Sequence, residues 1–296
     1  MLANLKVDLR LIVPYLAFSF AYDIRLIAIM YRRISSIVIL LVCVLTSVTT
    51  AQRLSSPTAL QDPFKKQAYP WKQNITATIF WIGEKPTPKN PTPNHASSWD
   101  TKWQANFGGY DNPNPAARTY GYRPTAFRPK QNPFYVALPY NDNIDWRRHK
   151  PEASKVIPWF RKYQPKPGKT VCKGRWLQIV YKRKVCYAQW EDCGPFHTDD
   201  YKYVFGNSRP KNTKNNGAGI DISPAVRDFL GAKSGAKVHW RFIDFENVPK
   251  GAWSKYGTNN PFVNPSMDTD LLVKRRYMEY LRQQRDRARK KNFSLQ

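Results

Sequence analysis

Asp221 stands between two isoleucines, Ile220 and Ile222, one step before Ser223-Pro224 and a short run that stops at Gly231. A carboxylate in that setting feels two opposed forces. Burial beside apolar neighbours raises its pKa, while the amide groups of a helix start favour its ionised form. Balanced between them, it can give and take a proton near neutrality, which is what general acid–base catalysis requires. The same aspartate could instead tie adjacent loops together by accepting backbone N–H bonds. Asp192, just before Cys193-Gly194-Pro195-Phe196, has two readings as well: it lines the same groove or it anchors the turn. Glu84 and Asp100, the latter in Ser98-Trp99-Asp100, are further acids that a two-carboxylate mechanism could recruit. Glu191 is turned away from Asp192 by simple strand alternation.

Strands must hold these acids. Ile75 to Trp81 alternates threonine with apolar residues, the period-two pattern of a half-buried strand. Phe134 to Pro139 reads as a short apolar strand, and Arg175 to Tyr181 and Val185 to Trp190 flank Lys182-Arg183-Lys184 as a hairpin. Val238 to Phe245 reads as a closing strand. Ser223 can accept an orphan backbone N–H, Pro224 suits the first helical position, and Gly231 ends the helix after about two turns. Residues 84 to 133 carry nine prolines and predict a long irregular excursion. In Ile220-Asp221-Ile222 the isoleucines should face a core, leaving Asp221 to face outward.

Four segments, in order, resemble the double-psi β-barrel shared by rare lipoprotein A, expansins, barwin-like proteins and certain endoglucanases. They are Thr78-Ile79-Phe80-Trp81, Val136-Ala137-Leu138-Pro139, Asp192-Cys193-Gly194-Pro195-Phe196, and Ile220-Asp221-Ile222-Ser223 with its Leu230-Gly231. The resemblance implies a mainly β fold: a six-stranded double-psi β-barrel with long Pro-rich loop insertions, one short helix after Asp221 and a C-terminal basic helix. It also implies action on polysaccharide, with Asp221 matching the catalytic acid or base. Inverting hydrolysis would need a second carboxylate about 6.5–9.5 Å away, for which Asp192, Glu84 and Asp100 are the candidates. Ile82 occupies the position where the barwin-like endoglucanases carry an aspartate, and Tyr135 the position where the rare lipoprotein A pattern has a histidine. A lytic transglycosylase needs only one acid, and a non-catalytic expansin-like module needs none. The aromatic rings expected to stack on sugar are Trp99, Trp103, Tyr135 and Tyr201.

The ends of the chain differ from its middle. Arg32-Arg33, the apolar run Ile37 to Leu45 and Thr49-Thr50-Ala51 have the layout of a secretory signal cleaved near Ala51, with Met30 as an alternative start. The expected division is therefore 1–51 extension and signal, 52–73 linker, 74–250 barrel domain, and 251–296 loop and basic amphipathic helical tail. Export places the chain outside the cell, in a periplasm or in the cell envelope. The formal charge is +27, and residues 1–51 contribute five basic and two acidic side chains, so +24 remains after cleavage. Such a field gathers polyanions. The expected partners are cell-wall or extracellular polysaccharide together with an anionic wall polymer or membrane surface, rather than nucleic acid, and the protein is expected to act as a monomer.

Cys172, Cys186 and Cys193 remain after cleavage, an odd number that in an oxidising compartment predicts one disulfide and one thiol. Hairpin register favours Cys172 with Cys193, and Cys172 with Cys186 is the alternative. Their spacing lacks the paired form of a zinc knuckle, and the four histidines show no ligand spacing. No metal or cofactor is expected.

Overall fold

The structure, a computed structural model, describes residues 68–88 and 90–293. The expected signal segment and most of the expected linker lie outside the described residues. Alternation of apolar side chains generates eight strands: β1 (Lys72–Ile79), β2 (Tyr135–Leu138), β3 (Asn143–Asp145), β4 (Arg148–His149), β5 (Arg175–Tyr181), β6 (Lys184–Cys193), β7 (Ala218–Ile222) and β8 (Ala236–Ile243). Six of them close into one barrel in the order β1-β7-β2-β6-β5-β8, and β3 and β4 form a separate two-stranded sheet. Two neighbour pairs, β1/β7 and β2/β6, are parallel, and the rest of the barrel is antiparallel. The expected six-stranded, mainly β barrel is present.

Ile75, Val136, Leu138, Leu177, Trp190, Ile220, Ile222 and Trp240 belong to one buried apolar cluster that fills the barrel. Each parallel pair is interrupted by a bulge. Between β1 and β7 the register steps from Thr76↔Ala218 to Ala77↔Ile220, so Gly219 is the extra residue. Between β2 and β6 it steps from Val136↔Trp190 to Ala137↔Asp192, so Glu191 is the extra residue. Such an insertion resets which face the following side chains take. Asp192 therefore comes level with outward-facing Ala137, while Trp190 stays in the core.

The helix Pro224–Leu230 starts and stops as the sequence dictates. The Ser223 hydroxyl accepts from the Val226 N–H at 3.3 Å, and Gly231 ends the helix in the left-handed region at φ 68°. The Pro-rich excursion is less irregular than expected, because a helix spans Trp103–Phe107, where no proline intervenes. Trp103 and Phe107 pack with Phe80, Ile82, Tyr135 and Ala137 in a second buried cluster outside the barrel. Polar contacts fix this layer. The Tyr135 hydroxyl donates to Asp111 Oδ2 at 2.7 Å and accepts from the Ile82 N–H at 3.0 Å. Arg118 pairs with Asp111 and, at 3.3 Å, with Asp228 beside the helix.

The three cysteines are free thiols, correcting the expected disulfide. Cys186 faces Ile179 within the β5–β6 ladder. Past Trp190, β6 continues against β2, with Leu138 opposite Cys193, and the Cys193 thiol donates to the Tyr140 carbonyl at 3.1 Å. The bulge thus removes Cys193 from the simple register that would have set it opposite Cys172.

The chain closes with a basic helix, Thr269–Phe293, whose first turn docks through Asp270, paired with Lys162 at 2.6 Å and accepting from the Tyr163 hydroxyl at 2.9 Å. Val273 is buried, whereas Leu272, Met278 and Leu281 are exposed. Among the described residues no helix is long and apolar enough to cross a membrane.

The Tyr135 hydroxyl is completely buried between an acceptor and a donor, so Tyr135→Phe strands both. The expected outcome is a loss of about 1–3 kcal/mol of stability, read from urea unfolding midpoints at unchanged m-value.

Candidate functional site

The register of four strands aligns Thr78, Asp221, Ala137 and Asp192 in one row. Thr78 pairs with Asp221 across β1/β7, Asp221 with Ala137 across β7/β2, and Ala137 with Asp192 across β2/β6. Ile220 and Ile222 point into the barrel core, so Asp221 points outward, as expected. Two strand spacings separate the backbones of Asp221 and Asp192, about 10 Å. Ala137 keeps the space between them small and apolar.

Asp221 is partly exposed, and its Oδ1 accepts from the Thr78 hydroxyl. Among the described residues that is the carboxylate's one hydrogen-bond partner. Its pKa is pushed up to about 7 by burial, opposed by the Thr78 bond and reinforced by the negative charges of Asp192 and Glu84. Thr78 is a functional candidate that the sequence reading missed, although the alternating pattern of its strand already carried the signal. Gly194 is another. At φ 155° it lies against the row, where a Cβ would fall 3.3 Å from Asp221 Oδ2 and 3.8 Å from the Ala137 Cβ. Any side chain at this position would crowd the acid.

Asp192 is buried, and its Oδ1 accepts from the backbone N–H groups of Ser98, at 2.8 Å, and Cys193, at 2.7 Å. Burial raises its pKa to about 6 against the lowering effect of those amides. It therefore anchors the turn and also places negative charge near Asp221. Glu84 is partly buried, and burial raises its pKa although Asn90 and the Trp81 backbone oppose the shift and Asn94 Nδ2 donates to its Oε2 at 2.9 Å.

Asp100 stands apart from this trio. Partial burial acts to raise its pKa, but bonds from Asn106 and the Lys102 N–H, with the charge of Lys173, outweigh it and the net shift is downward. Asn106 Nδ2 reaches it at 2.8 Å and the Lys173 ammonium at 3.8 Å. A carboxylate held ionised this firmly is a loop anchor and a poor proton donor.

The aromatic candidates divide. Trp103 and Tyr135 are buried in the cluster outside the barrel, which corrects their expected role as sugar platforms. Burial pushes the Tyr135 phenol well above its usual range, and the neighbouring Asp111 adds to the shift. Tyr201 opens the short helix Tyr201–Val204 and lines a separate shallow depression with Lys155, Phe205 and Asn207. Trp99 is partly exposed, follows the Ser98 that donates to Asp192, and fixes its indole by donating to Asn141 Oδ1 at 2.9 Å. Of the four rings, Trp99 is the one tied to the row of acids. Among the described residues no group of three or more His, Cys, Asp or Glu side chains is placed to hold a metal ion.

No protein family, curated protein or solved structure matches the chain.

The titration of Asp221 has a defined sign. An acid whose folded pKa lies above its ordinary value of about 3.9 contributes stability that is fully present below that value. That contribution is lost as pH rises through about 7. Asp221→Asn keeps an acceptor for Thr78 and removes the ionisation. The variant should therefore gain thermal stability over the parent as pH rises from 5 to 8, and the parent's side-chain carboxyl signal in carbon NMR should titrate near 7. Thr78→Val removes a bond that favours the ionised form, so it should move that midpoint further up.

Proposed function

We propose that this is an exported, polysaccharide-active protein of the double-psi β-barrel type, similar to rare lipoprotein A, the expansins and the barwin-like proteins. In this reading Asp221 is the acid and base that cleaves a glycosidic bond in a cell-wall glycan. One observation carries it: an outward-facing carboxyl group, partly exposed, with one hydrogen-bond partner and a pKa pushed up to about 7. At neutral pH such a group is present in both protonation states, so it can protonate a leaving oxygen and then recover a proton.

The surroundings favour a one-acid reaction. Asp192 is held by two backbone amides and Glu84 by Asn94, so neither is as free to activate a water as inverting hydrolysis requires. A lytic transglycosylase fits this arrangement: Asp221 protonates the glycosidic oxygen, the C–O bond breaks, and the sugar's own hydroxyl closes an anhydro ring as its proton passes to the Asp221 carboxylate. Asp192 and Glu84 would then hold the Asp221 pKa up through their charge. The charge of +27 suits an anionic wall polymer or membrane surface alongside the glycan.

The second reading, a wall-binding or wall-loosening module without catalysis, draws on the burial of Trp103 and Tyr135. Burial removes two of the rings that would hold a chain for cutting and leaves Trp99 on the edge of the groove.

Incubation with peptidoglycan, cellulose and chitin, followed by mass spectrometry of the soluble products, separates the readings. The expected outcome is anhydro-ended products from the parent and at least a hundredfold less from Asp221→Asn, the upper scale of a lost acid–base group being about 10⁴. New reducing ends would mean hydrolysis, and retention on the polymer without products would mean binding alone. Equal yields from parent and variant would exclude Asp221 as the acid.

A further inference from the structure

The bulge that turns Asp192 toward the row of acids turns Glu191 elsewhere. Glu191 is 2 % exposed and lines a cavity of about 380 Å³, bounded by the start of β5, the end of β8 and the first turns of the C-terminal helix. That volume lies in the range that small-molecule sites occupy. Its walls are mostly apolar, with Val171, Ile243 and Val273 among them.

Three polar atoms in this wall have no hydrogen-bond partner. Asn259 Nδ2 donates to Glu191 Oε1 at 3.1 Å, but Glu191 Oε2 accepts nothing. The indole N–H of Trp176 and the Nε–H of Arg175 have no acceptor. The three residues are neighbours in the β5–β6 ladder, where Arg175 pairs with Trp190 and Trp176 with Gln189. Buried polar groups are nearly always satisfied, so one unpaired acceptor and two unpaired donors in the wall of one cavity call for something that pairs with them. Lys169, Lys173 and Arg276 also line the cavity and disfavour a cation. A neutral head that both donates and accepts, on an apolar body, satisfies every one of these conditions.

We propose that this cavity, separate from the row of acids, is a binding site for a small apolar molecule bearing a carboxamide. The amide N–H₂ would donate to Glu191 and the amide carbonyl would accept from Trp176, with the apolar body against Val171, Ile243 and Val273. Burial holds the Glu191 pKa up near 7, against the pull of Lys173 and Asn259, as suits a carboxyl group in a dry pocket.

Benzamide and isopropylbenzene have the same shape and differ in the amide, so calorimetric titration of each into the full chain tests the site. Benzamide should bind at least about tenfold more tightly, the scale of one to two buried hydrogen bonds. Glu191→Met keeps the volume and removes the acceptor; it should bring the two affinities to within about twofold while raising thermal stability. Trp176→Phe removes a donor and keeps a ring, and it should lower benzamide affinity about tenfold without changing that of isopropylbenzene. Equal affinities in the parent, or no heat from either compound at millimolar concentration, would overturn the proposal and leave the unpaired atoms to water.

Discussion

The alternation imposed by a closed barrel is the constraint on which the rest of this molecule depends. Its interior is filled by Ile75, Val136, Leu138, Trp190, Ile220 and Ile222, so the residues between them have no choice but to face outward. Asp221 is held in place by its two isoleucine neighbours more than by any contact of its own. The parallel pairing of β1 with β7 and β2 with β6, joined by antiparallel β2/β7, then carries that outward face sideways across four strands. A row of acids spaced by an alanine follows from this geometry without a dedicated loop.

The bulges decide which polar residues join the row. Without the extra residue at Glu191, Asp192 would fall out of level with Ala137, and Glu191 would take its place beside Asp221. With the bulge, two adjacent acids serve different surroundings. Asp192 is satisfied by backbone amides, and Glu191 is buried with one oxygen unpaired. Burial is the leading cause of the raised pKa in both, as it is in Asp221.

Much of the barrel could be read from the residues. The threonine alternation of β1, the hairpin around Lys182-Arg183 and the Ser223-Pro224 to Gly231 helix are local signals, and each appears within a few residues of its expected bounds. The outward turn of Asp221 was legible for the same reason. What could not be read were features set by pairing between distant strands. The partnership of Thr78 with Asp221 spans 143 residues, and the bulge that breaks the simple Cys172–Cys193 register depends on how β6 meets β2. The aromatic rings misled because exposure cannot be inferred from residue type. Trp103 and Tyr135 lie in stretches that look like loop and edge, yet the Pro-rich excursion folds back over the barrel and buries them.

One guanidinium gathers both ends of the described chain. Arg175 donates to the Tyr69 and Tyr163 hydroxyls at 2.6 Å each, pairs with Asp244, lies 3.9 Å from Asp270 and stacks at 4.3 Å on Trp159. Tyr69 precedes the first strand and Asp270 opens the last helix, so the two meet at a single cation although 201 positions lie between them in the numbering. A protease trimming the carboxyl terminus past Asp270 would strip an anion from a buried positive charge and so loosen the grip on the first ordered tyrosine. The molecule's beginning is thereby made to sense whether its end is intact.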